Sequence, residues 1–359
     1  MPEIDLHPPV IGHRTDRLAA PGDVTAWCRA LPKVELHLHL EGAIPHDTLW
    51  ELIRKYGGDR AVTDRTALAD RFRYRDFAHF IEVFIWKNGF LREPDDFSLM
   101  AEAVARALAG QRVRYAEAFF SPTDFRATGL LPQQIAAAIR TGLDRVPEVE
   151  VTLVADLVRD TGPAQAAITL AQVAEVRELG VAGIGIGGSE HAFPPEPFAP
   201  VYDRARELGL RTTAHAGEAA GAGSVRAALD VLRVERIGHG TRAGEDPGLL
   251  ERLAEAWVPL EMCPISNLRT GVVDRIEEHP VLRYARQGLL VTVNTDDPEM
   301  FQTDLATEYA TLIHRLGASP DEVRVLVMNA VEASWLPPGR KRALRAELTA
   351  DPDWTTAPG

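Results

Sequence analysis

The feature that most constrains this chain is one theme repeated along it: a short β-branched or apolar run, a break containing Gly or Asp, then an amphipathic helical stretch. Eight such runs occur, at Val34–Leu40, Arg114–Phe120, Val151–Leu157, Val181–Gly188, Arg211–Gly217, Arg236–Gly240, Val258–Pro264 and Leu289–Asp297. Between them lie helical patterns rich in Ala, Leu, Glu and Arg, such as Pro132–Arg145, Gln165–Leu179 and Val225–Leu232. Strands that alternate with helices pair in parallel, because each helix returns the chain along a face of the sheet. Eight of them are expected to close into a (β/α)8 TIM barrel rather than to leave an open doubly wound sheet.

At 359 residues the chain fits one such barrel with insertions, and no low-complexity linker divides it. A single domain over residues 1–359 is expected, with extended polar tails at Met1–Asp23 and Asp351–Gly359. The largest departure from the repeat follows the first strand, where residues 46–112 hold extra helices. There Phe77, Phe80, Ile81, Phe84 and Ile85 fall at i, i+3, i+4, i+7 and i+8, one apolar helical stripe. The plain expectation is a helix packed on the barrel wall. The alternative is a lid whose aromatics cover a substrate, because long insertions after barrel strands lie at the active face.

Charge narrows the partners. The formal net charge of −13 repels a phosphate backbone and an anionic membrane surface, so neither nucleic acid nor membrane is expected. Two cysteines, Cys28 and Cys263, are too sparse for a disulfide framework and read as free thiols in a reducing compartment. The N-terminal stretch has no apolar run of signal-peptide length, and no segment reaches the roughly 20 apolar residues of a membrane span. A cytoplasmic protein is expected. Its oligomeric state is not legible.

The chemistry gathers at the predicted strand ends. His37 and His39 stand at i and i+2 on the first strand, and period-two geometry sends both imidazoles to one face. His215 ends the fifth strand, His239 the sixth, and Asp296 and Asp297 the eighth. Functional groups of this architecture come from the C-terminal ends of several strands, so these residues are expected to converge on one metal site. Imidazoles and a carboxylate without a thiolate suit zinc with an open position for water, although iron or cobalt binds similar sets. Cys263 precedes Pro264 but no Pro-Cys-x-x-Cys run exists, which excludes the His/Cys/Cys site of cytidine-type deaminases. Related binuclear barrels bridge their metals with a carboxylated lysine at a strand end. None of the four lysines (Lys33, Lys55, Lys87, Lys341) falls there, so one metal per chain is expected.

Five segments together resemble the adenosine deaminase family of the amidohydrolase superfamily, from about Leu31 to Glu347. They are Glu35-Leu36-His37-Leu38-His39-Leu40-Glu41-Gly42, His215-Ala216-Gly217-Glu218, Ile237-Gly238-His239-Gly240, Cys263-Pro264-Ile265-Ser266-Asn267 and Asn294-Thr295-Asp296-Asp297-Pro298. The resemblance implies that His37, His39, His215 and Asp296 hold zinc and that Glu218, His239 and Asp297 act around it. It implies that Gly188 offers its backbone N–H to a purine and that residue 41 lies by the ribose. The implied reaction is hydrolytic deamination of a 6-aminopurine nucleoside, adenosine to inosine and ammonia or a close derivative. In that reaction a protonated Glu218 neutralises charge at N1, His239 takes or stabilises the water proton, Asp296 orients the water, and Asp297 bonds N7.

The match departs at two positions. Glu41 stands where adenosine deaminases more often carry Asp, and adenine deaminases often carry Glu there. Ser189 replaces the Asp common after the purine-binding glycine. Adenine, and aminodeoxyfutalosine of menaquinone biosynthesis, are therefore alternative substrates. The aromatic carboxylate of the latter would want a cation, with Arg159 a candidate partner or else a surface arginine at a helix start. Outside the class stand a non-deaminating barrel hydrolase and a non-catalytic nucleoside-binding relative.

Overall fold

The computed structural model of the chain describes residues 21–74 and 77–356. The eight runs form eight parallel strands: β1 (Lys33–His39), β2 (Val113–Phe120), β3 (Glu150–Asp156), β4 (Val181–Gly185), β5 (Arg211–Ala216), β6 (Arg236–His239), β7 (Leu260–Met262) and β8 (Val291–Val293). They pair in chain order, each beside the next, with helices between them. The seam between β8 and β1 is fastened by residues just past β8. The His39 N–H donates to the Asp296 carbonyl at 2.8 Å, and the Asp296 N–H donates to the His37 carbonyl at 3.0 Å. Leu36 donates to Asn294 Oδ1 at 2.8 Å, and both the amide and the hydroxyl of Thr295 bond Glu35, at 2.8 and 2.5 Å. The barrel is thereby nearly closed.

β7 and β8 are shorter than the runs predicted for them, Val258–Pro264 and Leu289–Asp297. Pro259 has no amide for the ladder and Pro264 opens a helix, Pro264–Arg269, which leaves three residues for β7. After β8, Asn294 and Thr295 use side chains as well as backbone to bond β1, and Asp296 turns to a left-handed φ of +65° that no strand continues through.

The alternation along β1 explains what the barrel contains. Lys33, Glu35, His37 and His39 share one face and Val34, Leu36 and Leu38 the other, and all seven are buried. The buried arginine of β6 is paired inside the barrel, since an unpaired buried charge is costly. Arg236 bonds Glu117 and Glu261 at 2.6 Å each, with its guanidinium 3.7 Å from the Trp335 ring centre.

The tails are shorter than expected. A helix already runs over Pro21–Ala30, inside the predicted tail, and residues 1–20 lie outside the described residues. At the other end Pro352–Thr355 forms a helical turn, pinned because Arg112 pairs with both Asp351 and Asp353. Cys28 and Cys263 are free thiols, and both are buried. Among the described residues no helix is long and apolar enough to cross a membrane.

Candidate active site

The strand ends bring the predicted histidines and aspartate together. His215 Nε2 lies 3.1 Å from both His37 Nε2 and His39 Nε2. Asp296 Oδ1 lies 3.5 Å from His37 Nε2 and 3.3 Å from His39 Nε2. Ligands about 2.0–2.1 Å from a tetrahedral ion are spaced by nearly this much, so the four donors fit a divalent metal. His239 is close enough to count as a fifth: one donor atom from each of His37, His215, His239 and Asp296 falls within 4.8 Å of the others. Backbone strain marks the same place, since His239 (φ +61°) and Asp296 (φ +65°) both sit in the left-handed region without being glycine.

Electrostatics favours a cation there. Burial alone would push the His37 imidazole down, but the Asp296 and Glu261 carboxylates on either side hold it up at about 10. Burial would likewise raise Asp296, yet the His37 contact and neighbouring imidazoles hold it well below the carboxylate range. His215 is pushed far down by burial and by the other histidines. His39 and His215, pushed towards their neutral forms, and the carboxylate of Asp296 have lone pairs to offer a metal ion, which would take the place of the proton held on His37.

Three of the groups are held from behind. His37 Nδ1 is 2.9 Å from Glu261 Oε2, and the Ser266 hydroxyl donates to Asp296 Oδ2 at 2.6 Å. Asn267 Nδ2 is 3.2 Å from His239 Nδ1. Gly238 leaves room for the arrangement, because a Cβ there would lie 2.9 Å from the His37 ring.

A cavity of about 640 Å³ opens over the cluster, lined among others by His39, His215, His239, Asp296, Asp297, Glu218 and Gly188. Glu218 reaches it from the turn after β5, its Oε2 3.5 Å from His239 Nε2. Burial, with Asp296 and Glu190 adding to it, pushes the Glu218 carboxyl up to about 8. Asp297 is raised well above the usual carboxylate range, first by burial and then by Asp296. Gly188 has φ +95°, and a Cβ there would lie 2.1 Å from Asp160 Oδ2, so only glycine fits.

Two expectations need correcting. Arg159 is neither a surface residue nor free for a substrate carboxylate: it is fully buried, donating to the carbonyls of His215 (2.6 Å) and Phe193 (2.9 Å). Among the described residues Arg242 is the one arginine or lysine that lines the cavity. Glu41 is set behind the wall rather than on it: its Oε1 accepts from the Ser121 N–H at 2.9 Å, and its carboxyl is buried. The helix Phe77–Asn88 also differs from the plain expectation of a wall helix. Phe80, Ile81 and Phe84 line the cavity and Phe80 stacks on Phe301, so the helix roofs the mouth, the alternative raised from the sequence.

Several working residues were not singled out. Glu190 is 3% exposed and accepts from the Gly217, Glu218 and Ala220 amides at 2.6, 3.1 and 2.8 Å, so one carboxylate clamps the turn that carries Glu218. Lys87 is buried on the roofing helix, bonding the Glu41 carbonyl at 2.5 Å. No local pattern announces either contact. The motif Cys263–Asn267 was noticed, but nothing in it shows what Ser266 and Asn267 touch.

The chain is similar to known proteins over most of its length. The aminodeoxyfutalosine deaminase of Streptomyces avermitilis is 40% identical over 91% of this chain and 92% of its own length. A solved adenine deaminase from Arthrobacter aurescens is 33% identical with a TM-score of 0.83, over 89% of this chain and 99% of its own. A zinc-bound amidohydrolase from Burkholderia ambifaria is 30% identical with a TM-score of 0.84, over 94% of each chain. The adenosine deaminase family model matches residues 32–351, and the chain belongs to that family of aminohydrolases.

Proposed function

We propose that the protein hydrolytically deaminates a 6-aminopurine nucleoside, adenosine or a close derivative, with one zinc ion held by His37, His39, His215 and Asp296. The observation that carries this reading is Glu218: a carboxyl that keeps its proton at neutral pH, 3.5 Å from His239, beside a cluster built for a cation. When bound, the ion supplies a nucleophilic water by lowering its pKa towards about 7. Lys33 lies at the N-terminal end of β1 and the other lysines are on helices, which supports a single ion, since no lysine stands where a bridging ligand would.

The chain's own groups handle the purine. Gly188 offers its N–H, and Asp297, whose carboxyl is pushed well above the usual range by burial and by Asp296, shares a hydrogen bond with N7. Glu218 donates to N1 as water adds to C6 and negative charge builds on the ring. Asp296, fixed through Ser266, and His239 orient the attacking oxygen. The roof of Phe80, Ile81 and Phe84 keeps other water out. Loss of the amino group as ammonia leaves the 6-oxopurine.

The 40% identity to an aminodeoxyfutalosine deaminase favours a second reading, in which the nucleoside carries an aromatic carboxylate. With Arg159 committed to backbone carbonyls, Arg242 at the cavity edge is the cation such a group would meet. An ammonia-release assay on adenosine, deoxyadenosine, methylthioadenosine, aminodeoxyfutalosine and free adenine tests both readings. Turnover of a nucleoside above adenine supports the proposal; clear preference for free adenine overturns it.

A further inference from the structure

His239 has two ring nitrogens, and the groups around it determine which one carries the proton. The chain of contacts begins at a backbone amide, which can only donate. The Val281 N–H donates to His279 Nδ1 at 3.3 Å. His279 is buried, and burial pushes its imidazole down to about 3, so the ring is neutral. A neutral ring holds one proton, and with Nδ1 accepting, that proton is on Nε2. His279 Nε2 therefore donates to Asn267 Oδ1 at 3.1 Å, an oxygen that also accepts from the Thr241 hydroxyl at 2.6 Å. Asn267 is thus oriented with its amide nitrogen towards His239 Nδ1, 3.2 Å away. That nitrogen only donates, so Nδ1 accepts.

From this geometry we propose that His279 and Asn267 are positioning residues that hold His239 as its neutral Nε2–H tautomer, a hydrogen-bond donor to the attacking water and not a metal ligand, which leaves the Asp296 carboxylate to take that water's proton. His239 Nε2 has no hydrogen-bond partner among the described residues, which leaves its proton aimed into the mouth beside Glu218. The opposite device stands behind His37. There a carboxylate, Glu261, faces Nδ1 and accepts its N–H, so Nε2 is the nitrogen turned towards the cluster. An amide behind one histidine and a carboxylate behind another give two tautomers, and hence two roles, at one barrel mouth. The role given to the donor rests on the deaminase reading; the tautomer itself does not.

The test is nitrogen NMR of the zinc-loaded protein labelled with 15N-histidine, with His239 assigned by the signal lost in His239→Gln. A protonated Nε2 and a bare Nδ1 are expected for His239, and the reverse for His37. A proton on Nδ1, protons on both nitrogens, or a metal-bound Nε2 at His239 overturns the proposal in the unaltered protein, whatever any variant does. Asn267→Asp keeps the shape but turns the donor into an acceptor, which should move the proton to Nδ1. Turnover should then fall steeply, given that a wrong tautomer costs on the order of 10⁴-fold in a protease triad. An unchanged spectrum in Asn267→Asp also overturns the relay. If the expected spectrum is found but no 6-aminopurine is deaminated, the functional reading fails and the relay stands.

Discussion

A carboxyl that must give a proton at neutral pH has to be held away from water and close to other negative charge. Glu218 meets both conditions, through the depth of the mouth and through Asp296 and Glu190. Glu218→Gln keeps the size and removes the acid, so turnover should fall about 10²–10⁴-fold with metal content unchanged, measured by ammonia release and elemental analysis. The active form is the protonated one and its pKa is held up at about 8, so kcat/KM should be full below that pH and decline as pH rises through it. A profile still flat well above pH 8 would remove Glu218 from the role of acid. Single residues also mark where the sequence was silent. His37 and His39 announce a shared face by spacing alone, but Glu190 and Asn267 act through partners 27 to 30 and 28 positions away. Arg159 misled because a cation at a strand end reads as available, while its actual partners are backbone carbonyls that carry no side-chain signal.

At the scale of elements, the strands were legible where period and burial agree, as in β1 to β6, and least so where side chains replace the ladder, as after β8. The stripe on Phe77–Asn88 predicted a helix correctly. It could not tell which apolar surface the helix meets, because a wall and a mouth ask for the same periodicity. The short turn after β1, Glu41–Ala43, carries a further constraint. A Cβ on Gly42 would lie 1.6 Å from Asp297 Oδ1, so Gly42→Ala must displace that side chain. Steady-state kinetics of Gly42→Ala should show kcat/KM lowered about 100-fold, as expected for a misplacement on the order of 1 Å, with zinc still bound. Unchanged kinetics would mean that Asp297 does not hold the purine.

Arg236 is shared by two carboxylates inside the barrel, so acidic groups outnumber basic ones there, in the same sense as the net charge of −13. A resident ion would bind the folded barrel and not the unfolded chain, adding about 4 kcal/mol when present at 1,000 times its dissociation constant. Calorimetry after treatment with a chelator should therefore show Tm lowered, and restored by zinc. An unchanged Tm would speak against a bound metal. The seam gives that loss a location. The amides of His39 and Asp296 are the stitches that join the last strand to the first, and both belong to residues offering donors to the ion. The ion would thus serve as the clasp of the barrel, and hydrogen exchange at these two amides should quicken on its removal while β3 and β4, away from the seam, stay protected.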